Sequence, residues 1–366
     1  VTSPTAQEQT GKAGQKSLSW SVLTQTGSMD LSYADQFSVT YYGEENYALV
    51  IIGEDEKFLV VPEGEPVPED LPEDITPLLQ PLTNMYLAAT SAMDFFCHLD
   101  AVDQITLSGT DRSGWYLEEP KKALEEGTME YAGKYSAPDY ERIVDKSCSL
   151  AIESTMIYHC PQVKEQLENL GVPVLVERSS YEEHPLGRME WIRLYGVLFD
   201  EEEKAEQLFR ENMEALDGVL SEQPTGKTAA FFYITSNGAV NVRKPGDYVA
   251  KMIELAGGSY VPQTASEEEN ALSTMNMQME TFYAEAKNAD ILIYNSTIEG
   301  VVSTTDELVA KCSLLADFKA VQNGHVWCVA QSFFQQSMEL ADFILELHRL
   351  FTEDAPDGLQ YFIHVE

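Results

Sequence analysis

Residues 181–216 constrain the fold of this chain most, because they predict one long helix between two similar halves. A turn with Pro185 and Gly187 opens this segment, and no further proline follows within it. Its apolar residues recur at helical spacing, while acidic and basic residues occupy the opposite face. A single helix as the only joint between two lobes would form a stiff spine. We therefore expect the cleft between the lobes to be the working site.

The length and the charge of the chain limit its class. A chain of 366 residues exceeds the usual size of one apolar core and favours two domains. Its 61 acidic and 23 basic residues give a net charge of −38. Nucleic acids and anionic lipids are bound by clustered Lys and Arg, so this charge argues against both partners. No apolar stretch is long enough for a transmembrane helix.

The N-terminal residues differ from the rest of the chain. Residues 1–16 are rich in small and polar residues and predict a disordered tether, as would remain after removal of an N-terminal lipid anchor. Residues 17–75 predict a β-rich extension with strands at 37–42, 47–53 and 57–61. An acidic, proline-rich loop follows at 62–74. We expect this extension to lie outside the main core.

The remaining chain predicts an α/β fold with two similar lobes. Strands alternate with helices over residues 76–187 and again over residues 223–366, which implies mainly parallel sheets. The predicted architecture is two Rossmann-like lobes joined by a spine helix at 188–222, with the β-rich extension in front.

Ligand-binding residues of such a protein should lie on loops at the carboxyl ends of the strands. Trp115 and Tyr116 lie in a loop with few other apolar residues, so we expect their rings to face the ligand. Arg178 directly follows a strand and suits an anionic group. The full candidate set is Ser91, Arg112, Trp115, Tyr116, Ser154, Thr155, Tyr158, Arg178 and Tyr181 in lobe one, and Tyr233, Asn237, Arg243 and Asn295 in lobe two.

The sequence shows no motif of a metal ion site or of catalysis. Its six histidines lack paired spacing, and its five cysteines lack metal-ligand spacing and leave one disulfide possible. No nucleophile elbow, P-loop or zinc motif is present. We therefore expect neither a bound cofactor nor an enzymatic activity.

The order of these features resembles the substrate-binding proteins of ABC importers for iron chelates, haem and cobalamin, whose two lobes are bridged by one long helix. No single matching segment is specific for this family, but the order of the segments over residues 84–351 is. The matching segments are ATSAMDFFCHLDAVDQI (89–105), PDYERIVDKSCSLAIES (138–154), LENLGVPVLVE (167–177), HPLGRMEWIRLYGVLF (184–199), IELAGGSYV (253–261) and ADFKAVQNGHVWCV (316–329).

The resemblance implies a monomeric extracytoplasmic receptor, periplasmic or lipid-anchored, that binds a metal chelate between its lobes and delivers it to an ABC permease. It also implies that Glu141 in lobe one and Glu280 in lobe two dock on arginines of the permease. An iron siderophore is the first expectation for the ligand, with haem or cobalamin as alternatives. Two other classes remain open: a tetrapyrrole chelatase that uses Glu183 and His184, and a cell-surface interaction protein that uses the β-rich extension.

The charge also bears on the ligand. A chain with 23 basic residues has few groups to surround a highly anionic chelate, and its negative background would repel one. We therefore expect a neutral or weakly charged ligand. Candidates are a hydroxamate-type ferric chelate, a corrinoid, and haem with its propionates bound by an arginine such as Arg178.

Overall fold

The structure is a computed structural model that describes residues 17–264 and 273–366. The strands of these residues form three sheets, two with five strands and one with seven. Parallel strands alternate with helices in the second and third sheets, which confirms the predicted α/β class. The predicted tether at 1–16 lies outside the described residues.

The first sheet, here called the N-terminal sheet, confirms the predicted meander. Its strands are β1 Gln25–Ser28, β2 Phe37–Tyr42, β3 Tyr47–Ile52, β4 Glu56–Val61 and β5 Ile75–Leu79. β1 to β4 pair antiparallel in chain order, and β5 joins β4 in parallel after the loop at 62–74. Asn46 and Gly53 adopt a left-handed φ of 61° in the tight turns, which Asn and Gly tolerate.

The second sheet forms the first lobe. Its strands are β6 Met85–Leu87, β7 Ile105–Ser108, β8 Glu130–Tyr131, β9 Ala151–Ser154 and β10 Val174–Glu177, and its helices are α1 Met93–His98, α2 Glu118–Glu126, α3 Tyr140–Asp145 and α4 Pro161–Asn169. The sheet order is β10-β9-β6-β7-β8, and every neighbouring pair is parallel. The central strands are short apolar runs because both of their faces are buried.

The segment that joins the lobes is not one helix. It contains α5 Pro185–Glu190, α6 Ile192–Phe199 and α7 Glu202–Leu220. Asp200 ends α6 in a left-handed conformation with a φ of 57°. α7 then packs so closely on α6 that a β-carbon on Gly196 would lie 2.6 Å from Ala205 Cβ. The predicted single spine helix at 188–222 is therefore wrong. The helical spacing of apolar residues continues across Asp200, so the sequence pattern does not show that the helix ends there.

The third sheet forms the second lobe. Its strands are β11 Thr228–Ile234, β12 Val240–Arg243, β13 Ser259–Val261, β14 Thr274–Met277, β15 Ile291–Tyr294, β16 Val326–Val329 and β17 Phe362–His364. Its helices are α8 Tyr248–Leu255, α9 Met279–Ala286, α10 Ser296–Glu299, α11 Thr305–Lys311, α12 Lys319–Asn323 and α13 Leu340–Thr352. The sheet order is β14-β12-β11-β15-β16-β17, and β13 pairs in parallel with β11.

One apolar core joins the N-terminal sheet to the rest of the molecule. Phe37 and Val50 of this sheet lie in the same buried cluster as Trp191 of the joining segment and Phe343 of α13. The rings of Phe37 and Trp191 meet edge to face with 5.0 Å between their centroids. The expectation that the β-rich extension lies outside the core is therefore wrong. Burial of such side chains stabilises the fold by about 1.5–3 kcal/mol each.

Two buried glutamates attach the N-terminal sheet to the first lobe, and we call Glu182, Glu190 and the loop at 32–36 the carboxylate clasp. Glu190 accepts three consecutive backbone N–H groups of the loop at 2.8–2.9 Å. Glu182 accepts the next two at 2.9 and 3.0 Å, and the indole N–H of Trp191 at 2.8 Å. Hydrogen bonds to an ionised carboxylate are strong, so the loop offsets much of the cost of burying these two groups, although burial still raises the pKa of Glu182.

The five cysteines remain free thiols, which settles the disulfide pairing that the sequence left open. Cys148 and Cys328 are buried and the other three are partly buried. Burial raises the pKa of the Cys148 thiol to about 11, so this thiol stays protonated at neutral pH.

Glu153 of β9 generates a prediction on stability. Its carboxylate is buried with no hydrogen-bond partner among the described residues, and burial raises its pKa from 4.5 to about 8. Between these values native Glu153 keeps a proton that the unfolded chain releases, so stability falls as pH rises through that window. Between about pH 5 and about pH 8, we expect the free energy of unfolding to fall by roughly 2–4 kcal/mol more in the wild-type chain than in Glu153→Gln.

Urea unfolding at the two pH values measures this difference. The comparison with Glu153→Gln cancels the titration of the other groups, because the variant differs at this position only. An equal fall in the free energy of unfolding of both chains would contradict a neutral Glu153 in the folded state.

Candidate functional site

A cavity of about 660 Å³ lies between the lobes. The clasp loop, the loop after β10, the start of α5 and the turn after β12 all contribute to its wall. Its lining residues are Gln36, Arg178, Ser180, Tyr181, Glu182, Glu183, Arg188, Lys244, Pro245, Gly246, Asp247, Tyr248 and Ser273. This volume lies within the range of small-molecule binding sites.

The first-lobe wall follows from the sheet topology. β10 ends at Glu177, so Arg178 and Tyr181 follow the carboxyl end of a parallel strand. A turn at 179–181 then leads the chain to α5, whose N-cap is His184. In open α/β sheets this end of the strands borders the ligand crevice.

Arg178 has a fixed orientation at the cavity wall. Its Nε and Nη2 donate to Gln36 Oε1 at 3.2 and 3.0 Å, and its Nη1 donates to the Tyr158 hydroxyl at 3.0 Å. The ring centroid of Tyr181 lies 4.7 Å from its Cζ, within the range of a cation–π contact. A guanidinium held in this way suits a carboxylate or another planar anion.

Arg188 and Tyr248 bring the two lobes together at the same cavity. The Cζ of Arg188 lies 3.6 Å from the ring centroid of Tyr248. Its Nε and Nη2 donate to the carbonyl oxygens of Glu182 and Ser180 at 3.1 and 2.7 Å. Burial lowers the pKa of Arg188, but a guanidinium stays charged in a folded protein. Arg188 therefore both ties the loop after β10 to lobe two and contributes a positive charge.

Asp247 and Arg243 support the second-lobe wall. Asp247 Oδ1 caps α8 by accepting the N–H of Val249 at 2.9 Å, and its Oδ2 lies 3.7 Å from Arg243 Nη1. The Cζ of Arg243 lies 4.7 Å from the ring centroid of Phe334, and the side chain is only 11% exposed. Arg243 is thus held inside lobe two, and its Nη1 donates to the hydroxyl of Ser273, a residue of the cavity wall, at 3.1 Å. It does not itself line the cavity, and its direct contact with the ligand stays a prediction.

The structure brings several predicted residues to the cavity. Arg178 and Tyr181 line it, and Tyr158 contacts Arg178. Ser91 lines an adjoining cavity of about 40 Å³ that shares three lining residues with the larger one. The hydroxyl of Thr155 lies 3.4 Å from that of Ser180 in the wall.

Trp115 does not face the cavity. Its side chain is 1% exposed, and its Nε1 donates to Ser108 Oγ at 3.3 Å and to the Thr110 carbonyl at 3.2 Å. The prediction of a ligand contact is wrong, because the polar loop folds around the ring and satisfies its N–H. The adjacent Tyr116 is exposed, and its backbone N–H donates to Gln335 Oε1 of lobe two at 2.8 Å.

The other predicted residues do not reach the cavity, because local structure uses their side chains. Arg112 pairs with Glu125 on the surface, and Ser154 caps the turn at 155–159. Asn237 accepts a hydroxyl within the turn that joins β11 to β12, and Asn295 caps α10. Tyr233 packs against the apolar cluster of the second lobe.

Of the lining residues, only Arg178 and Tyr181 were in the predicted ligand set, and Gln36, Lys244 and Tyr248 are among those that the sequence reasoning missed. Lys244 and Tyr248 flank a Pro-Gly turn directly after a strand, which is a signal that could have indicated them. No local signal marks Gln36, because it acts through Arg178, a residue 142 positions away along the chain.

A second polar cluster links the lobes outside the cavity. Asp94, His98 and Glu339 place ligand-type atoms within 4.8 Å of one another. His98 Nε2 lies 3.2 Å from Glu339 Oε1, and this hydrogen bond raises the pKa of His98. Asp94 Oδ2 accepts the N–H of Met338 at 2.8 Å. These partners explain the cluster as an interlobe ion pair.

The chain belongs to the periplasmic binding protein family, whose model matches residues 98–331. Two uncharacterized lipoproteins of Methanocaldococcus jannaschii are similar to it. One is 22% identical over 86% of this chain and 80% of the lipoprotein. The other is 23% identical over 91% of this chain and 86% of the lipoprotein.

Solved structures share the fold. The periplasmic haem-binding protein HutB of Vibrio cholerae has a TM-score of 0.58 at 17% identity, covering 72% of this chain and 98% of HutB. The petrobactin-binding protein YclQ of Bacillus subtilis has a TM-score of 0.58 at 14% identity, covering 74% of this chain and 92% of YclQ. These similarities confirm the two-lobe α/β architecture.

The family and its lipoprotein relatives confirm the predicted extracytoplasmic location. Among the helices of residues 17–264 and 273–366, none combines the length and the apolar character that crossing a membrane requires. The predicted resemblance to substrate-binding proteins is confirmed by the same family match.

Proposed function

We propose that this member of the periplasmic binding protein family is a solute receptor that binds a metal chelate in the interlobe cavity and delivers it to an ABC permease. An iron siderophore is the first candidate, with haem and a corrinoid as alternatives. The observation that carries the proposal is the cavity wall, where an oriented arginine and tyrosine rings from both lobes converge. The proposal requires neither a catalytic residue nor a resident cofactor.

The chemistry of the wall supports a weakly charged chelate. Tyr181 and Tyr248 supply ring surface for van der Waals contact and stacking. The acids Glu182 and Asp247 are engaged with backbone N–H groups, while Arg178 can donate to an anionic oxygen. The net charge of −38 opposes the approach of a ligand with many negative charges.

The similar structures support the same ligand class. HutB is a haem-binding protein and YclQ a petrobactin-binding protein. At 17% and 14% identity these proteins share only a fold with this chain, so the choice of ligand rests on the cavity side chains.

The environment of His184 favours a receptor over a chelatase. Its Nδ1 accepts the N–H of Leu186 at 3.1 Å to cap α5, and its ring stacks on Tyr33 with 4.7 Å between centroids. Burial lowers the pKa of His184. A general base needs a free nitrogen lone pair, but neutral His184 uses the lone pair of Nδ1 to cap α5 and carries its proton on Nε2.

Glu141 and Glu280 are the proposed contacts with the permease. Glu141 lies in the first turn of α3 and Glu280 in the first turn of α9, one on each lobe, and both are exposed. Neither belongs to the cavity wall. Exposed acids on both lobes can pair with basic residues of a partner without entering the ligand site.

Calorimetric titration against haemin, ferric petrobactin, ferrioxamine and cyanocobalamin tests the ligand class. We expect at least one to bind with a Kd in the micromolar range or below. Tyr181→Ala should weaken that binding by roughly 1–3 kcal/mol, because a ring in contact with the ligand is lost. Tyr131→Ala is the control, since Tyr131 lies outside the wall and its exposure of 44% resembles the 39% of Tyr181. Failure of all four probes to bind would refute the metal-chelate proposal.

Uptake of the bound probe, measured in cells that contain the chain and its permease, tests docking. Glu141→Ala combined with Glu280→Ala should reduce uptake while the Kd of the probe stays unchanged, because rim charges act on the partner. Glu211→Ala combined with Glu214→Ala removes the same charge from exposed positions of α7 and is the control. A drop in probe affinity, or equal uptake in both double variants, would contradict this docking surface.

A further inference from the structure

We infer that the N-terminal sheet is part of the ligand-binding site and that Gln36 is a positioning residue for Arg178. The inference rests on the proposed function, because it concerns the same cavity. Gln36 lies next to β2 and lines the cavity, whereas the family match begins only at residue 98. The N-terminal sheet would therefore add a ligand-site element that the matched family region does not contain.

Gln36 has a fixed backbone and a fixed amide. Its N–H donates to Glu182 Oε1 at 3.0 Å, and its carbonyl accepts the N–H of Gly53 at 2.8 Å. Its Nε2 donates to Asp35 Oδ1 at 2.7 Å. This bond turns the amide nitrogen away from Arg178 and leaves Oε1 as the acceptor that faces the guanidinium.

Arg178 is enclosed by the N-terminal sheet on one side and by the first lobe on the other. Gln36 Oε1 accepts both Nε–H and Nη2–H, which fixes the plane of the guanidinium. A β-carbon on Gly53, in the turn between β3 and β4, would lie 3.2 Å from Arg178 Cζ. Tyr181 lies on the guanidinium with 4.7 Å between Cζ and the ring centroid. Glycine at position 53 thus permits both the left-handed turn, with a φ of 61°, and this close approach.

The remaining donors define the ligand group. A guanidinium has five N–H donors, and the Gln36 and Tyr158 oxygens accept three of them. Within residues 17–264 and 273–366, no acceptor is found for the second N–H of each Nη, so both can donate to a ligand oxygen. A planar anion such as a carboxylate fits two donors of this kind. Because the N-terminal sheet holds the long side chain in place before binding, the ligand does not have to order it.

A ligand-free measurement tests the positioning directly. The Nε–H of Arg178 gives a side-chain NMR signal. This signal is assigned by its disappearance from the spectrum of the variant Arg178→Lys. Gln36→Ala should accelerate exchange of this proton with water by about tenfold or more, because its acceptor is removed. Gln80→Ala is the matched control: Gln80 follows β5 and donates to the carbonyls of Val197 and Leu198, away from Arg178. An unchanged exchange rate in Gln36→Ala would overturn the positioning role.

A binding measurement then tests the role in the site, with whichever of haemin, ferric petrobactin, ferrioxamine and cyanocobalamin binds the wild-type chain most tightly. Gln36→Ala should weaken that binding about tenfold, and Gln80→Ala should leave it unchanged. The double variant Gln36→Ala/Arg178→Ala should bind no more weakly than Arg178→Ala alone, because Gln36 acts through Arg178.

The outcomes separate this inference from the proposed function. If a probe binds and Gln36→Ala retains wild-type affinity, or if the effects of the two substitutions add fully, the inference fails while the proposed function stands. If no probe binds the wild-type chain but Gln36→Ala accelerates the exchange, the proposed function fails while the positioning of Arg178 stands.

Discussion

The carboxylate clasp is the interaction on which the rest of the structure depends. Glu182 and Glu190 are buried, and an uncompensated buried charge costs several kcal/mol. Five consecutive backbone N–H groups at 32–36 satisfy these carboxylates, and Arg193 adds an ion pair to Glu190 at 3.0 Å. The loop can approach because Gly187 has no side chain: a β-carbon there would lie 2.9 Å from a backbone oxygen of the loop. The N-terminal sheet and the first lobe therefore depend on each other for stability.

This dependence extends to the ligand cavity. Gln36 is the last residue of the clasp loop, and its side-chain oxygen accepts hydrogen bonds from Arg178. Glu182 also contributes through its backbone, because its carbonyl oxygen accepts a hydrogen bond from Arg188 Nε. Arg188 stacks on Tyr248 of the second lobe, so a continuous chain of contacts leads from the N-terminal sheet across the cavity. A site supported in this way is largely preformed. Ligand binding then costs less entropy, because the side chains of the site are already ordered.

Some of this could be predicted from the sequence. The alternation of strands and helices indicates the α/β lobes, and the position of Arg178 directly after a strand places it at the crevice. The break at Asp200 could not be predicted, because the apolar spacing continues across it and only the left-handed backbone of Asp200 ends α6. The burial of Trp115 could not be predicted either, because polar neighbours in the sequence do not exclude burial of a side chain in the folded protein. Gln36 and the clasp arise from contacts between residues more than 140 positions apart, which local patterns do not record.

Native-state hydrogen exchange of the backbone amides tests the role of the clasp most directly. If the N-terminal sheet is an integral part of the fold, the amides of residues 32–36 open only when the first lobe unfolds. Their opening free energies should then equal those of the β9 amides in the centre of the first-lobe sheet. Exchange of the clasp amides at a much lower free energy, while β9 stays protected, would show that the N-terminal sheet detaches on its own and would contradict this dependence.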